Sequence, residues 1–166
     1  MSHFRSHKQA KFDLDKRPVA ISGPNGSGKT NILEAVSLFS PGRGLRGSSA
    51  QSLMRKPDCL GWKINGHVMS GDRLMEIVFS SINGAAREVK IDGKKATQIT
   101  LAQHSRVLWL VPSMDRLWIE GAEVRRRFLD RVSLSFFPSH AENTLRYEKS
   151  MRERNRLLKN QVRDPH

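Results

Sequence analysis

Apolar positions along the chain fall into short runs whose period changes several times. Phe12 and Leu14 alternate with Asp13 and Asp15, the two-residue period of a strand. Lys16, Arg17 and Pro18 then make a turn. Val19, Ala20 and Ile21 form an unbroken apolar run, as expected for a buried strand. After a glycine-rich stretch the period becomes helical. Ile32, Leu33, Ala35, Val36 and Phe39 share the apolar face of a helix over 29–40, which Pro41 and Gly42 end. Residues 41–56 are rich in Gly, Ser and Arg and read as an exposed loop. Three β-like runs follow, at 61–69, 73–80 and 86–91. Asn65-Gly66, Ser70-Gly71, Asn83-Gly84 and Asp92-Gly93 punctuate them as tight turns, which predicts an antiparallel meander. Residues 107–111 are a further short apolar strand, ended by Pro112. Over 120–136 the helical period returns. Val124, Phe128, Leu129 and Val132 share a face, Arg125, Arg126 and Arg127 lie beside it, and Pro138 breaks the helix. Ser139 with Glu142 makes a capping-box pattern for a last helix. That helix runs to about Gln161 and is charged nearly all round. Leu145, Met151, Leu157 and Leu158 are its few apolar positions, as in a solvated helix or the start of a coiled-coil arm.

Chemistry concentrates in the glycine-rich stretch. Gly23, Pro24, Asn25, Gly26, Ser27, Gly28, Lys29 and Thr30 match G-x-x-x-x-G-K-[ST], and Asn31 follows at once. The glycines let backbone N–H groups turn inward around phosphate oxygens, where a Cβ would obstruct them. Lys29 supplies a point charge for β- and γ-phosphates, and the Thr30 hydroxyl suits magnesium. The helix that follows directs its N-terminal dipole at the anion. The motif follows an apolar run and opens an amphipathic helix, the context it demands. Hydrolysis also needs a magnesium carboxylate at the end of a separate strand and a group that orients water. Asp115 comes nearest, but Pro112, Ser113 and Met114 displace it from the apolar run, and no Leu-Ser-x-Gly-Gly-type segment is present. No catalytic residue is assigned.

The charge balance widens the set of partners. Lys and Arg number 29 against 16 Asp and Glu, a net +13 over 166 residues, and such an excess favours polyanions. With a single cysteine, Cys59, no internal disulfide is possible, which fits a reducing compartment. The six His show no metal-site spacing. No apolar run approaches the ~20 residues that span a bilayer, and the basic N-terminus lacks the apolar segment of a secretory signal, so a cytoplasmic location is expected. Arg43 and Arg46 in the loop, and Arg126 and Arg127 on the helix, are candidates for phosphate contacts with DNA. A structural ion pair is an equal reading of Arg126 and Arg127. Trp62, Trp109 and Trp118 are candidates for base stacking, with core burial favoured for Trp109.

Several segments resemble the RecF family, bacterial recombination and repair ATPases related to the SMC proteins. The stretch from Gly23 through Lys29, Thr30, Asn31, Ile32, Leu33, Glu34 and Ala35 is similar to that family's phosphate loop. Ser40 to Arg46, the run 107–112, Gly121, and Arg126-Arg127-Phe128-Leu129-Asp130 resemble later segments in order. Tyr147 and the run 154–159 resemble the start of its helical arm, and Phe4-Arg5-Ser6-His7 sits where the family has a Phe-Arg-Asn-Tyr-like segment. The resemblance implies an α/β fold, a P-loop NTPase of the ABC-ATPase type. It would be an incomplete head with a mixed sheet, an antiparallel meander and the start of a helical arm. It implies a partial ATP-binding lobe over 1–137 and the beginning of the arm over 138–166. It further implies ATP and magnesium as cofactors and ATP-dependent homodimerisation. The implied partners are DNA at single-strand/duplex junctions and other recombination mediator proteins. The implied setting is recombinational repair, replication-fork maintenance and the SOS response to DNA damage. By this resemblance the chain begins inside the first hairpin and stops early in the arm, the front half of an ATPase. A small-molecule kinase, a transporter-coupled ABC subunit and a non-functional remnant are the competing readings. The first is opposed by the turn-rich meander, the second by the lack of a suitable glutamine after Val111.

A front half on its own would leave strand edges unpaired and apolar surface bare, so poor solubility is expected of the isolated chain. Sedimentation and thermal melts check this. A sharp, cooperative transition in a monomeric sample would contradict it.

Overall fold

The computed structural model describes residues 1–57, 60–119, 121–137 and 139–161. Cys59, Glu120 and Pro138, on which a disulfide argument, a helix start and a helix break rest, lie outside the described residues. So does the Asp115 side chain. The chain divides into two compact units, Met1–Trp109 and Leu110–His166.

The first unit is built on one sheet. Its strands are β1 (Ser2–Phe4), β2 (His7–Gln9), β3 (Gly61–Ser70), β4 (Arg73–Ile82), β5 (Glu88–Ile91) and β6 (Lys94–Lys95). They lie in the order β2-β1-β3-β4-β5-β6, and every pairing is antiparallel. Among the described residues the expected mixed sheet is thus met by its antiparallel part. Two-residue periodicity explains which face is buried. Met75, Ile77, Phe79 and Ser81 of β4 point inward and alternate with residues that do not. Trp62 and Ile64 of β3 and Val89 of β5 join them.

Two helices cover that face. They are α1 (Lys29–Ser37), which contributes Ala35 with Leu38 just beyond it, and α2 (Gln98–His104), which contributes Leu101. Leu53, in a single 3₁₀ turn at Gln51–Leu53, and Phe4 complete the core. Phe4 meets Trp62 edge to face, with ring centroids 5.6 Å apart, and Phe39 meets Phe79 likewise at 5.1 Å. Thr97 caps α2, its hydroxyl accepting from the Thr100 N–H at 3.1 Å.

Three turn expectations hold. Gly71, Asn83-Gly84 and Asp92-Gly93 all take positive φ at the ends of strands. Asn65-Gly66 does not turn; it lies inside β3. A Cβ on Gly66 would stand 2.5 Å from the Phe39 ring, so the glycine admits an aromatic rather than bending the chain.

The expected strands at 12–15, 19–21 and 107–111 are also corrected. None is a strand, because no described strand runs alongside to pair with it. Val19 and Leu110 are accordingly exposed. The hairpin of β1 and β2 stands where no periodicity announces it, since three-residue strands are too short to show one. α1 stops at Ser37, three residues early, as Leu38, Phe39 and Ser40 tighten into bonds to carbonyls three residues back. Its expected apolar face is only partly right. Leu33 and Val36 are exposed, whereas Glu34 and Ser37 are buried. The loop 41–56 is exposed only in part, because Leu53 enters the core. Trp62, not Trp109, is the buried tryptophan, with its indole N–H donating to Ala50 O at 2.8 Å.

Among the described residues the second unit holds a 3₁₀ turn at Pro112–Arg116 and two α-helices, α3 (Ala122–Phe136) and α4 (His140–Gln161). His140 Nε2 lies 3.0 Å from an Asp130 carboxylate oxygen, and the Arg126 guanidinium sits 4.7 Å from the Tyr147 ring centroid. Val124, Phe128 and Val132 are half-buried, while Leu129 is exposed. α4 is largely solvated.

Asp92 ties β4 to the turn after β5. It accepts from the Glu76 N–H at 2.9 Å and from Arg73 at 2.6 Å. The Glu76 amide first, and Arg73 with it, hold its carboxyl below the usual carboxylate range. Its contribution to stability is therefore present above that range and lost as pH falls through the depressed value. NMR titration should find the Asp92 midpoint low in the parent chain and raised in Arg73→Gln. An unchanged midpoint would remove Arg73 from the account.

Candidate functional site

The glycine-rich loop leads directly into α1, and its geometry follows from its residues. Gly23, Gly26 and Gly28 have φ of 150°, 84° and 91°, values that L side chains rarely adopt. A Cβ on Gly28 would also stand 2.6 Å from both His7 Nε2 and Ser6 Oγ. Gly28 is the N-cap of α1, and its carbonyl accepts from the Asn31 and Ile32 N–H groups. The N–H groups of Gly26, Gly28, Lys29 and Thr30 have no acceptor among the described residues. Four amide donors at a helix N-terminus, where the dipole is positive, form a cradle suited to an anion.

Lys29 spans this loop from beneath. Its Nζ donates to Gly23 O at 2.7 Å and Pro24 O at 2.8 Å. The ammonium is thus held against the loop's first carbonyls, within reach of whatever the amides bind. Thr30 is exposed at the first turn. Its hydroxyl is the kind of hard oxygen magnesium accepts, and that ion usually completes its shell with phosphate oxygens and water. The donor set therefore fits a magnesium-bound polyphosphate.

Beneath the loop is a group that residue patterns leave unnoticed. Glu34 is 1% exposed, although its side chain ends in a carboxyl group. Arg5 grips its carboxylate with two parallel bonds, Nε to Oε2 and Nη2 to Oε1, each 2.8 Å. Arg46 donates to Oε2 at 2.9 Å, and the Ser48 hydroxyl to Oε1 at 3.1 Å. The same Arg46 nitrogen donates to Asn31 Oδ1 at 2.9 Å, and Asn31 Nδ2 donates to Ser6 Oγ at 2.9 Å. Arg5 also reaches Ser52 O at 2.8 Å. Helical spacing puts Asn31, Glu34 and Leu38 on one face, so the helix that carries Lys29 is pinned from its sheet side. The β1–β2 turn, α1 and the loop after α1 all meet at one carboxylate. No periodicity in the sequence marks it: Glu34 stands on the opposite side of the helix from Ile32, Val36 and Phe39, the face that the apolar pattern singles out. Only its burial in the fold reveals the site.

The four candidate DNA contacts are placed differently. Arg46 belongs to the Glu34 cluster. In the second unit, Arg126 lies on Tyr147 and 3.8 Å from Asp130, and Arg127 pairs with Glu123 one turn earlier. Arg43 is exposed and pairs with no carboxylate among the described residues.

Residues 1–160 match the family described as the AAA domain. The chain belongs to that family. Among curated proteins, it is 42% identical over 169 residues to the DNA replication and repair protein RecF of Rhizobium rhizogenes, covering 99% of this chain and 45% of that one. It is 41% identical over 165 residues to the RecF of Caulobacter vibrioides, covering 95% and 43%. The chain thus spans less than half the length of these relatives. A solved structure of the recombination mediator protein RecF-ATPrS in the RecFOR pathway superimposes with a TM-score of 0.84 at 28% identity, over 96% of this chain and 43% of that chain. A structure from work on ATP-driven dimerisation and DNA-stimulated activation of SMC ATPases has a TM-score of 0.60 at 22% identity and shares the fold, over 79% of this chain and 95% of that one. The expected likeness to RecF proteins and the expected fold are therefore both found.

Breaking a buried ion pair by removing one partner costs about 3–5 kcal/mol. Glu34→Ala, which strands Arg5 and Arg46, should lower unfolding free energy in urea by that order. Arg46→Ala should cost clearly less, since Arg46 is half-exposed and Arg5 stays in place. Equal losses for the two would refute the central role of Glu34.

Proposed function

We propose that this chain is the ATP-binding front portion of a DNA replication and repair protein of the RecF type. The observation that carries the nucleotide part is the glycine loop, with four unpartnered amides and Lys29 laid across it. The likeness to RecF proteins along nearly the whole chain supports the DNA-repair part.

Gly26, Gly28, Lys29 and Thr30 donate their N–H groups to phosphate oxygens, and Gly23 supplies the bend that opens the loop. Lys29 Nζ moves from the Gly23 and Pro24 carbonyls to the β- and γ-phosphates, exchanging neutral acceptors for charged ones. Pro24, Asn25 and Ser27 shape the rim, and Asn31 is oriented by Ser6 and Arg46. Thr30 Oγ1 would ligate magnesium, which when bound neutralises phosphate charge. Glu34 and Arg5 keep the helix N-terminus aimed at the loop.

In the intact RecF-type protein, the portion 1–137 serves as part of the ATP-binding lobe and 138–166 as the start of the arm. Two nucleotides then join two heads, and the dimer acts on single-strand/duplex junctions with other recombination mediators in the cytoplasm. The excess of basic residues supports a DNA partner. Among the described residues no helix is long and apolar enough to cross a membrane.

A fluorescent ATP analogue with magnesium tests the nucleotide part. Loss of a charge-assisted bond of ~1.5–3 kcal/mol should weaken binding by Lys29→Ala at least about tenfold. Equal binding by parent and variant would refute the role of Lys29. Binding by neither would sink the claim that this portion holds ATP by itself.

A further inference from the structure

A concavity walled by both apolar and polar groups lies in the first unit, between the loop after α1 and the start of β5. It has a volume of about 380 Å³, and Gly42, Arg43, Ser49, Leu53, Arg87 and Gln98 are among its walls. Three contacts build it. Arg87 Nη2 donates to Gly42 O at 2.5 Å, the Gly42 N–H donates to Gln98 Oε1 at 3.0 Å, and the Arg87 guanidinium lies 5.7 Å from the Phe79 ring centroid. The loop, β5 and α2 therefore hold one another at Gly42, and the Arg87 fork is stacked on the core rather than free to wander.

Charge is what this arrangement leaves unbalanced. Arg87 is half-buried, and burial lowers its pKa, although a guanidinium stays protonated. Among the described residues neither Arg87 nor Arg43 is paired with a carboxylate. Elsewhere in this unit, the deeply placed cation Arg5 has a carboxylate partner in Glu34. A guanidinium withdrawn from water without a counter-ion is costly unless an anion joins it. Arg87 uses one donor nitrogen on Gly42 and keeps further N–H groups. The Gln98 amide nitrogen and the Ser49 hydroxyl add polar groups on the walls. A tetrahedral oxyanion, with three or more acceptor oxygens, matches two guanidinium forks better than a carboxylate with two.

We infer that this cavity binds a phosphoryl oxyanion through Arg87 and Arg43. The phosphate belongs to a nucleic-acid backbone or is free in solution. The backbone source rests on the DNA-binding reading above; the free source does not. The site is separate from the glycine loop, which uses none of these residues.

The test uses the full chain, with Arg43→Gln, Arg87→Gln and Arg87→Lys. Binding to a fluorescent gapped duplex is followed by anisotropy across a salt series, and thermal midpoints are read with and without inorganic phosphate. If the source is the backbone, each Gln variant should bind DNA several-fold more weakly. The log–log salt slope should also shrink by about one, while ATP-analogue binding is kept. Arg87→Lys should keep much of the slope but not the full affinity, because a point charge replaces a fork. If the source is free phosphate, DNA binding is unchanged, and inorganic phosphate raises the midpoint of the parent but not of the Gln variants. Parent-like behaviour of Arg43→Gln and both Arg87 variants in both assays overturns the site and leaves the DNA-binding reading standing. No DNA binding by the parent defeats that reading instead, and the phosphate arm then decides the site. If Arg87→Gln melts early or loses ATP-analogue binding, Arg43→Gln alone decides, and its parent-like behaviour overturns the site.

Discussion

One buried carboxylate organises the region that matters most. Glu34 is almost fully withdrawn from water, and it would be intolerable there without compensation. Arg5 reaches it from the turn after β1, and Arg46 and Ser48 reach it from the loop after α1. A bidentate guanidinium contact fixes angle as well as distance. Through it, three segments distant in sequence acquire one relative placement. The glycine-rich loop inherits that placement because Lys29 and Glu34 share a helix of nine residues.

The sheet supplies the rigid side of the same arrangement. Its inward residues come from alternate positions of β3 and β4, and they form a floor on which α1 and α2 rest. Phe39 reaches that floor over Gly66, where any side chain would collide with the ring. Phe4 at the end of β1 is fully buried against Trp62, which sets Arg5, the next residue, at the edge of the core. Packing and ion pairing thus cooperate. The aromatic contacts hold the turn in place, and the turn presents the arginine.

Basic residues divide by environment rather than by sequence context. Arg46, Arg126 and Arg127 stand in segments that resemble a DNA-binding family, yet each is engaged within its own unit by a carboxylate or an aromatic ring. Arg43 and Arg87 have no carboxylate partner among the described residues, although Arg87 lies over the Phe79 ring, and they line the same cavity. Net charge predicts that polyanions will be attracted. Which cation is available to meet one depends on which has already found a partner.

By itself the sequence determined the glycine-rich loop, the meander of β3, β4 and β5, and the two α-helices of the second unit. The loop is legible because G-x-x-x-x-G-K-[ST] is a pattern of particular residues at particular spacings. The meander and helices are legible because burial imposes periods of two and of about 3.6. The Glu34 cluster and the true limits of the strands depended on tertiary structure. Arg5, Glu34 and Arg46 are far apart along the chain, so no local pattern can join them. The apolar runs at 19–21 and 107–111 have strand-like composition, but a strand exists only where a neighbour accepts its hydrogen bonds. Asn65-Gly66 has the composition of a turn, and the ring of Phe39, from a much earlier segment, decided otherwise. Local chemistry sets what a segment is able to form, and partners brought in by the fold select what it does form.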